Sequence, residues 1–159
     1  MEKAENSFVE VDPSTVTDRR VTWILDYWAS LPRQGALPSP KLIDPLDIPP
    51  DVLPHIFKIS VSWKGGQPSF VYRLSGTHLT KEYGREITGK TPRMAFPTYF
   101  KDLEAAYTIA ASRNRPTLHR YRLPIFNREH KWVERLACPF ATGGETVDLL
   151  FGCLTFPSA

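Results

Sequence analysis

The chain has 159 residues, of which 42% are apolar and 12% aromatic, and its formal net charge is +3. This size and composition predict one globular domain with a sizeable core and argue against a disordered chain. The sequence contains no apolar run of about 18 residues, and its start "MEKAENSFVEVDPS" is charged and polar, unlike a secretory signal peptide. We therefore expect a cytoplasmic protein.

The first predicted element is a helix of about 14 residues in "TDRRVTWILDYWASLP", with Thr17 as its N-cap and Pro32 after its end. Residues 1–16 before it are expected to be poorly ordered. At about 100° per residue, the helix has one apolar face, formed by Val21, Ile24, Leu25, Trp28 and Leu31.

The same helix has a second apolar side, because Trp23 lies nearly opposite the first face and Tyr27 lies toward Trp23. A helix that is apolar on two sides usually contacts two surfaces. We therefore expect a partner protein or a homodimer to pack on the N-terminal helix, with a single exposed Trp as the alternative. The candidate interface residues are Trp23, Tyr27 and Trp28.

A stiff crossing follows the helix and contains "IDPLDIPPDVLPHIFKISV", residues 43–61, with four prolines before the first strand. Each proline fixes its own φ and disfavours helix at the preceding residue, so Asp44, Ile48 and Leu53 are expected to be extended. The segment is too hydrophobic for a solvated linker. The residues expected to anchor it to the core are Leu42, Ile43, Leu46 and Ile48.

Two strands are predicted at residues 56–63 and 70–76, joined by the turn residues "KGGQP". Short helical turns closed by Gly84 and Gly89 come next, and then a longer helix in "TYFKDLEAAYTIAASRN" with Thr98 as a possible cap. The last three predicted strands are "TLHRYRLPIF", "WVERLACPFA" and "DLLFGCLTF". Hairpin-length links between these strands imply an antiparallel sheet, with the mid-chain helices on one face.

The two cysteines, Cys138 and Cys153, fall on the last two predicted strands, where they could lie opposite each other. A cytosolic location favours free buried thiols, and a redox switch is the alternative.

Two strands, a helical insert and three strands form the order of a PAS domain. The segment "YGREITGK" is similar to the recurring PAS segment that closes the short helices before the long one. More specifically, the Pro-rich crossing followed by "FVYRLSGTHLTKEYGREITGK" resembles the single-domain bacterial PAS proteins of the PAS_5 type.

The resemblance implies an α+β, PAS-like fold with a five-stranded antiparallel sheet, short helices and one longer helix on one face, and an N-terminal helix. Residues 17–159 would form one domain, with the helix and the Pro-rich lead-in at 17–55 and the PAS core at 56–156. Its implied function is a sensory, ligand-binding or protein-interaction module in bacterial signalling. Because the sequence stops at "FPSA" after the last strand, we expect no kinase, cyclase or DNA-binding output on this chain.

PAS ligands generally bind between the sheet and the mid-chain helices, so the resemblance implies a cavity there for an unknown small molecule. Tyr and His would give a mostly apolar pocket its few polar groups, whereas a filled core is the alternative. The pocket candidates are Phe57, Ile59, Tyr72, Leu74, His78, Phe96, Tyr99, Phe100, Tyr107, His119, Tyr121 and Leu123.

No catalytic or zinc-binding spacing is present among the four histidines and two cysteines, and no nucleophile elbow or P-loop appears. Haem would need an axial ligand from His78, Met94 or His119, and we do not expect it, since a lone histidine near an apolar face is more often a hydrogen-bonded residue. Residues 77–94 contain no cysteine, so we do not expect flavin–cysteine photochemistry.

Two alternative functions depend on other residues. A carrier or enzyme would need an acid–base pair, for which His119 with Glu134 or Asp102 are the candidates. A nucleic-acid module would use the segment from Arg113 to Arg135, in which seven Lys and Arg stand against two Glu. The simpler interpretation is that these charges protect a sheet edge.

Arg73 is expected on the outer face of its strand, opposite in direction to Tyr72 and Leu74. There it would pair with Asp44 or Asp47.

Overall fold

The structure, a computed structural model, describes residues 8–123 and 131–157. Its strands are β1 Val9–Val11, β2 Ile56–Lys64, β3 Gln67–Ser75, β4 Thr117–Arg122, β5 Trp132–Phe140 and β6 Leu149–Thr155. Its helices are α1 Arg19–Ser30, α2 Thr77–Tyr83, α3 Pro92–Ala95 and α4 Phe100–Ser112. Residues 124–126 of the predicted strand "TLHRYRLPIF" lie outside the described residues.

The strands form one antiparallel sheet in the order β1-β4-β5-β6-β2-β3, so the α+β, PAS-like fold is confirmed. The sheet has six strands where five were predicted. The additional strand, β1, pairs with the edge of β4, with Val9 opposite Arg120 and Val11 opposite Leu118. The expectation of poor order is therefore wrong for residues 9–15, because β4 offers unpaired backbone groups to an alternating Val-Glu-Val segment.

Two separate cores lie on the two faces of the sheet. The inner core lies between the sheet and the mid-chain helices, and the outer core lies between the sheet, α1 and the Pro-rich lead-in. Strand β5 contributes to both, because its side chains alternate: Val133 and Ala137 face the inner core, and Leu136 and Cys138 face the outer core.

Helix α1 begins one residue later than predicted, because the Asp18 carboxylate, not Thr17, accepts the hydrogen bond from the Arg20 amide. The helix has 12 residues and buries Val21 and Ile24 in the outer core. Trp28 also points toward the sheet, where its indole N–H donates to the Pro139 carbonyl at 2.8 Å.

The second apolar side of α1 meets the lead-in. The rings of Trp23 and Tyr27 stack with centroids 4.9 Å apart. The Tyr27 hydroxyl donates to the Leu42 carbonyl at 3.2 Å and accepts from the Asp44 amide at 3.1 Å. Much of the surface assigned to an interface is thus used within the domain, and a partner on α1 remains a prediction.

The lead-in is ordered through three short 3₁₀ turns, at Pro40–Leu42, Pro45–Asp47 and Leu53–His55. Asp44 and Ile48 are extended as predicted, but Leu53 opens the third turn, since Pro54 at the next position is tolerated in a first turn. Ile43 and Ile48 are buried, whereas Leu46 is 93% exposed and is not the anchor that we predicted.

A β-bulge in the β2–β3 hairpin reverses the predicted alternation. Lys58 lies opposite Leu74 and Ile59 lies opposite Tyr72, so Arg73 is the extra residue on β3. Tyr72 therefore faces the inner core, while Leu74 lies beside Lys58 on the outer face and is 36% exposed. The predicted ion pair of Arg73 with Asp44 or Asp47 is wrong, because its guanidinium Nε donates to the Ser60 hydroxyl at 3.0 Å.

The two cysteines lie diagonally, with Cys138 opposite Phe151 and Cys153 opposite Leu136, and not directly opposite each other. Both are free and buried in the outer core, as the cytosolic interpretation predicted. Burial raises the pKa of both thiols. They therefore act as small apolar side chains.

Gly89 has φ +86°, the predicted left-handed closure of the short helices.

Gly76 has φ −60°, a conformation open to any residue, and a glycine is required there because of space. A Cβ at Gly76 would overlap the Pro54 carbonyl. Gly76→Ala is expected to lower the free energy of unfolding by about 1–3 kcal/mol in urea denaturation. The matched control is Gly143→Ala, whose Cβ meets nothing within 4 Å and should change it by less than about 0.5 kcal/mol. Equal effects would contradict the Pro54 contact.

Candidate functional site

The inner core brings together most of the predicted pocket residues. Phe57, Ile59, Tyr72, Phe96, Tyr107, Tyr121 and Leu123 are buried in it, and Tyr99 packs against it. Phe100 is half-buried, with the Arg93 guanidinium 5.2 Å from its ring centroid. Leu74 lies on the outer face because of the bulge, and His78 lies apart, against His55, with ring centroids 4.5 Å apart.

Tyrosines from four elements converge in this core. Tyr72 on β3 and Tyr107 on α4 join their hydroxyl groups at 2.9 Å, and Tyr121 on β4 and Tyr83 on α2 lie in the same cluster. Burial raises the pKa of all four phenols, that of Tyr121 to about 12. At neutral pH they are therefore uncharged hydroxyl groups that can donate or accept hydrogen bonds.

Arg135 lies among these tyrosines, although its neighbours on the inner face of β5 are Val133 and Ala137. It is 2% exposed, and its guanidinium carbon lies 4.5 Å from the ring centroid of Tyr107 and 5.3 Å from that of Tyr121. Its Nη1 donates to the Tyr121 hydroxyl at a long 3.5 Å, and its Nε has no hydrogen-bond partner within residues 8–123 and 131–157.

The charge of Arg135 has no counter-ion in the described part of the chain, where none of the ion pairs within 4 Å includes its guanidinium. Burial acts to lower the pKa of Arg135 and the surrounding phenols raise it, with a net shift upward. An arginine stays protonated in proteins. The inner core thus contains a buried positive charge whose neighbours are neutral at neutral pH.

Three carboxylates on neighbouring elements are bound to other cations. Glu134 points to the opposite face of β5 and accepts from Arg120 at 2.6 Å. Glu82 accepts from the Lys131 ammonium at 2.9 Å, and Glu10 pairs with Arg113. None of these acids compensates Arg135.

His119 lies directly opposite Arg135 in the β4–β5 register and is 3% exposed. Burial, and then the positive charge of Arg135, lower the pKa of His119 to about 4. At neutral pH this imidazole is uncharged and adds no second positive charge to the site.

The first described residue closes one side of the cluster. The Phe8 ring stacks on Tyr121 with centroids 3.9 Å apart and an interplanar angle of 8°. It also lies 6.0 Å from the Arg135 guanidinium carbon. Because Phe8 directly precedes β1, the three-residue edge strand forms part of the wall around the charge.

The profile of the PAS domain family, PAS_5, matches residues 16–155, which is most of the chain and includes every residue of the cluster except Phe8. The chain belongs to the PAS domain family. A search of curated proteins and a search of solved structures each gave no match. None of the helices described in this PAS domain has the length and apolar character of a membrane span.

The acid–base pairs considered for an enzyme are not assembled in this PAS domain. His119 faces the inner core, while Glu134 faces the other way and binds Arg120. Asp102 is exposed on the first turn of α4. The described residues likewise hold no cluster of metal-ligating side chains, and the haem-ligand candidate Met94 is exposed.

Within residues 113–122 and 131–135, the basic side chains of the segment lie in different environments. Arg113, Arg120 and Lys131 are paired with acids, and Arg135 is inside the inner core. Arg122 packs its guanidinium 5.0 Å from the Trp132 ring centroid. Arg128, Glu129 and His130 lie outside the described residues. A nucleic-acid footprint on this segment remains a prediction.

Sequence reasoning missed three members of the site: Phe8, Tyr83 and Arg135. The sequence did contain a signal for Arg135. It lies two residues from both Val133 and Ala137 in "WVERLACPF", so the three side chains lie on the same face of the strand. An arginine between two inward-facing apolar residues of a central strand should face inward.

Proposed function

We propose that this PAS domain is a sensory module that binds a small molecule in its inner core and passes occupancy to a partner protein or a second copy of the chain. The observation that supports it best is the convergence of four tyrosine hydroxyl groups in a buried region. A core that serves only stability is expected to consist of apolar side chains, because burying a hydroxyl group costs free energy unless the group is hydrogen-bonded.

The geometry also suits recognition. Ligand pockets are mostly apolar and carry a few polar groups that orient the molecule. The rings are held by one another, with Tyr72 in T-shaped contact with Phe96 and Tyr107, and Phe70 in T-shaped contact with Tyr107. These contacts fix the rings on three elements, so the hydroxyl positions are preorganised.

Native mass spectrometry of freshly purified protein tests the proposal. We expect a mass above that of the denatured chain, with the extra mass lost on denaturation, and the same spectrum reports whether the protein is a dimer. Tyr72→Phe and Tyr121→Phe are each expected to lower the retained fraction several-fold, because each removes a hydroxyl group that would orient the molecule.

The matched control is Tyr27→Phe, which removes a hydroxyl group in contact with the lead-in on the outer side of the sheet. It should leave the retained fraction unchanged. Equal losses in all three variants would indicate a general loss of stability. An unloaded wild-type protein that also takes up no added small molecule would contradict ligand binding in the inner core.

A further inference from the structure

We propose that the molecule bound in the inner core is a monocarboxylate with an apolar or aromatic body, and that Arg135 is the residue that binds its carboxylate. This inference rests on the proposed function and adds the chemical class of the ligand. It starts from Arg135, the charged group that lies among the four tyrosines in the described part of the chain.

The buried guanidinium has unused binding capacity. Taking a charge out of water is unfavourable unless other charges and hydrogen bonds compensate it. Within the described residues, Arg135 has one long hydrogen bond, an Nε without a partner and three aromatic neighbours, Phe8, Tyr107 and Tyr121. A carboxylate matches the two-pronged geometry of a guanidinium and would supply the missing negative charge.

The net charge of the site selects the charge of the ligand. Arg135 contributes one positive charge, His119 opposite it is neutral at neutral pH, and the tyrosines are neutral. One carboxylate neutralises this site, whereas a phosphate dianion would leave an uncompensated negative charge. The Tyr121 hydroxyl, which accepts from Arg135, can donate its proton to a remaining lone pair of the carboxylate. Of Tyr72 and Tyr107, only the hydroxyl that accepts in their mutual hydrogen bond has a proton left to donate.

The rest of the ligand must fit an apolar surrounding. Besides the tyrosines, the inner core offers Phe70, Phe96, Ile59 and Leu123, and no second unpaired charge is found in its described part. A second charged group on the ligand would therefore be buried without a counter-ion in the described residues, which is unfavourable.

The first measurement is the chemical nature of the molecule released when the purified protein is denatured. A carboxylic acid supports the inference. A neutral or cationic molecule that binds again to the wild-type protein overturns it while leaving ligand binding intact.

If no molecule is retained, calorimetric titration with benzoate and hexanoate, each compared with its amide, gives the answer. We expect at least one acid to bind at least tenfold more tightly than its amide. Arg135→Gln is expected to abolish that preference, and Arg135→Lys to keep part of it. Arg120→Gln is the matched control, since Arg120 is an outer-face arginine bound to Glu134, and it should keep the full preference.

NMR titration of His119 gives an independent readout. A bound carboxylate offsets the charge of Arg135, so the pKa of His119 should rise from about 4 toward its ordinary value. Equal affinities for acid and amide, with no effect of Arg135→Gln, would overturn the carboxylate. Failure of every probe to bind a protein that also carries no retained molecule would overturn both the inference and the proposed function.

Discussion

Replacing Arg135 by methionine is expected to raise the free energy of unfolding of the ligand-free protein by about 1–3 kcal/mol. The substitution removes a buried charge that has no counter-ion in the described residues and keeps an unbranched side chain of similar length. The contacts of the guanidinium with the Tyr107 and Tyr121 rings oppose this gain, but such contacts contribute only about 0.5–2 kcal/mol. Urea denaturation of dialysed protein, with and without ligand, measures the free energy of unfolding of the ligand-free and the ligand-bound forms.

The opposite sign is expected for Arg120→Met. That change leaves the Glu134 carboxylate, which has a 9% exposed side chain, without its 2.6 Å partner. Since Arg120 itself is 42% exposed, the loss should be only about 1 kcal/mol. A loss of stability in Arg135→Met comparable to that in Arg120→Met would show that Arg135 supports the fold, and not that it is held in reserve for a ligand.

Acidification is expected to destabilise the protein while most carboxylates are still ionised. The pKa of His119 is about 6.5 in the unfolded chain and about 4 in the folded protein. Between these values the unfolded state binds more protons, so the contribution of His119 is present above about pH 6.5 and is lost as the pH falls through 4. About 2 kcal/mol should be lost between pH 7 and about pH 5.

His119→Gln is the variant that tests this slope, because glutamine does not titrate. Between pH 7 and about pH 5 it should remove most of the loss, although His55, whose pKa burial also lowers, retains a smaller share. The charged groups that act on His119 are Arg135, Glu10 and Arg113. In Arg135→Met the pKa of His119 should therefore rise. If the free energy of unfolding of His119→Gln depended on pH as steeply as that of the wild-type protein, His119 would not be the cause of the acid destabilisation.

The sequence predicted the order of the main elements because their hydrophobic periods and turn residues are local signals. Three features depended on non-local packing. The edge strand Val9–Val11 exists because β4 offers it a partner, and the bulge at Arg73 arises where β2 and β3 must twist together. Leu46 fits an apolar pattern, yet its 3₁₀ turn directs it to solvent.

The site was predictable only in part for the same reason. Aromatic residues on the inner faces of strands follow from alternation, and most of the predicted pocket residues lie in the inner core. Arg135 was counted with the surface charges, since arginine is rarely buried. Its position becomes clear only when β4, β5 and α4 are assembled around it.

The order of strands in the sheet also constrains how the chain is made. Strand β2 pairs with β3 at once through a two-residue turn, but its other edge pairs with β6, which begins 74 residues after the end of β3. At translation rates of about 5–20 residues per second, that edge waits on the order of 4–15 s on the ribosome. Lys58, Ser60 and Ser62 place polar groups along one face of the waiting strand. These side chains discourage the nascent hairpins of neighbouring ribosomes from pairing with each other before β6 emerges.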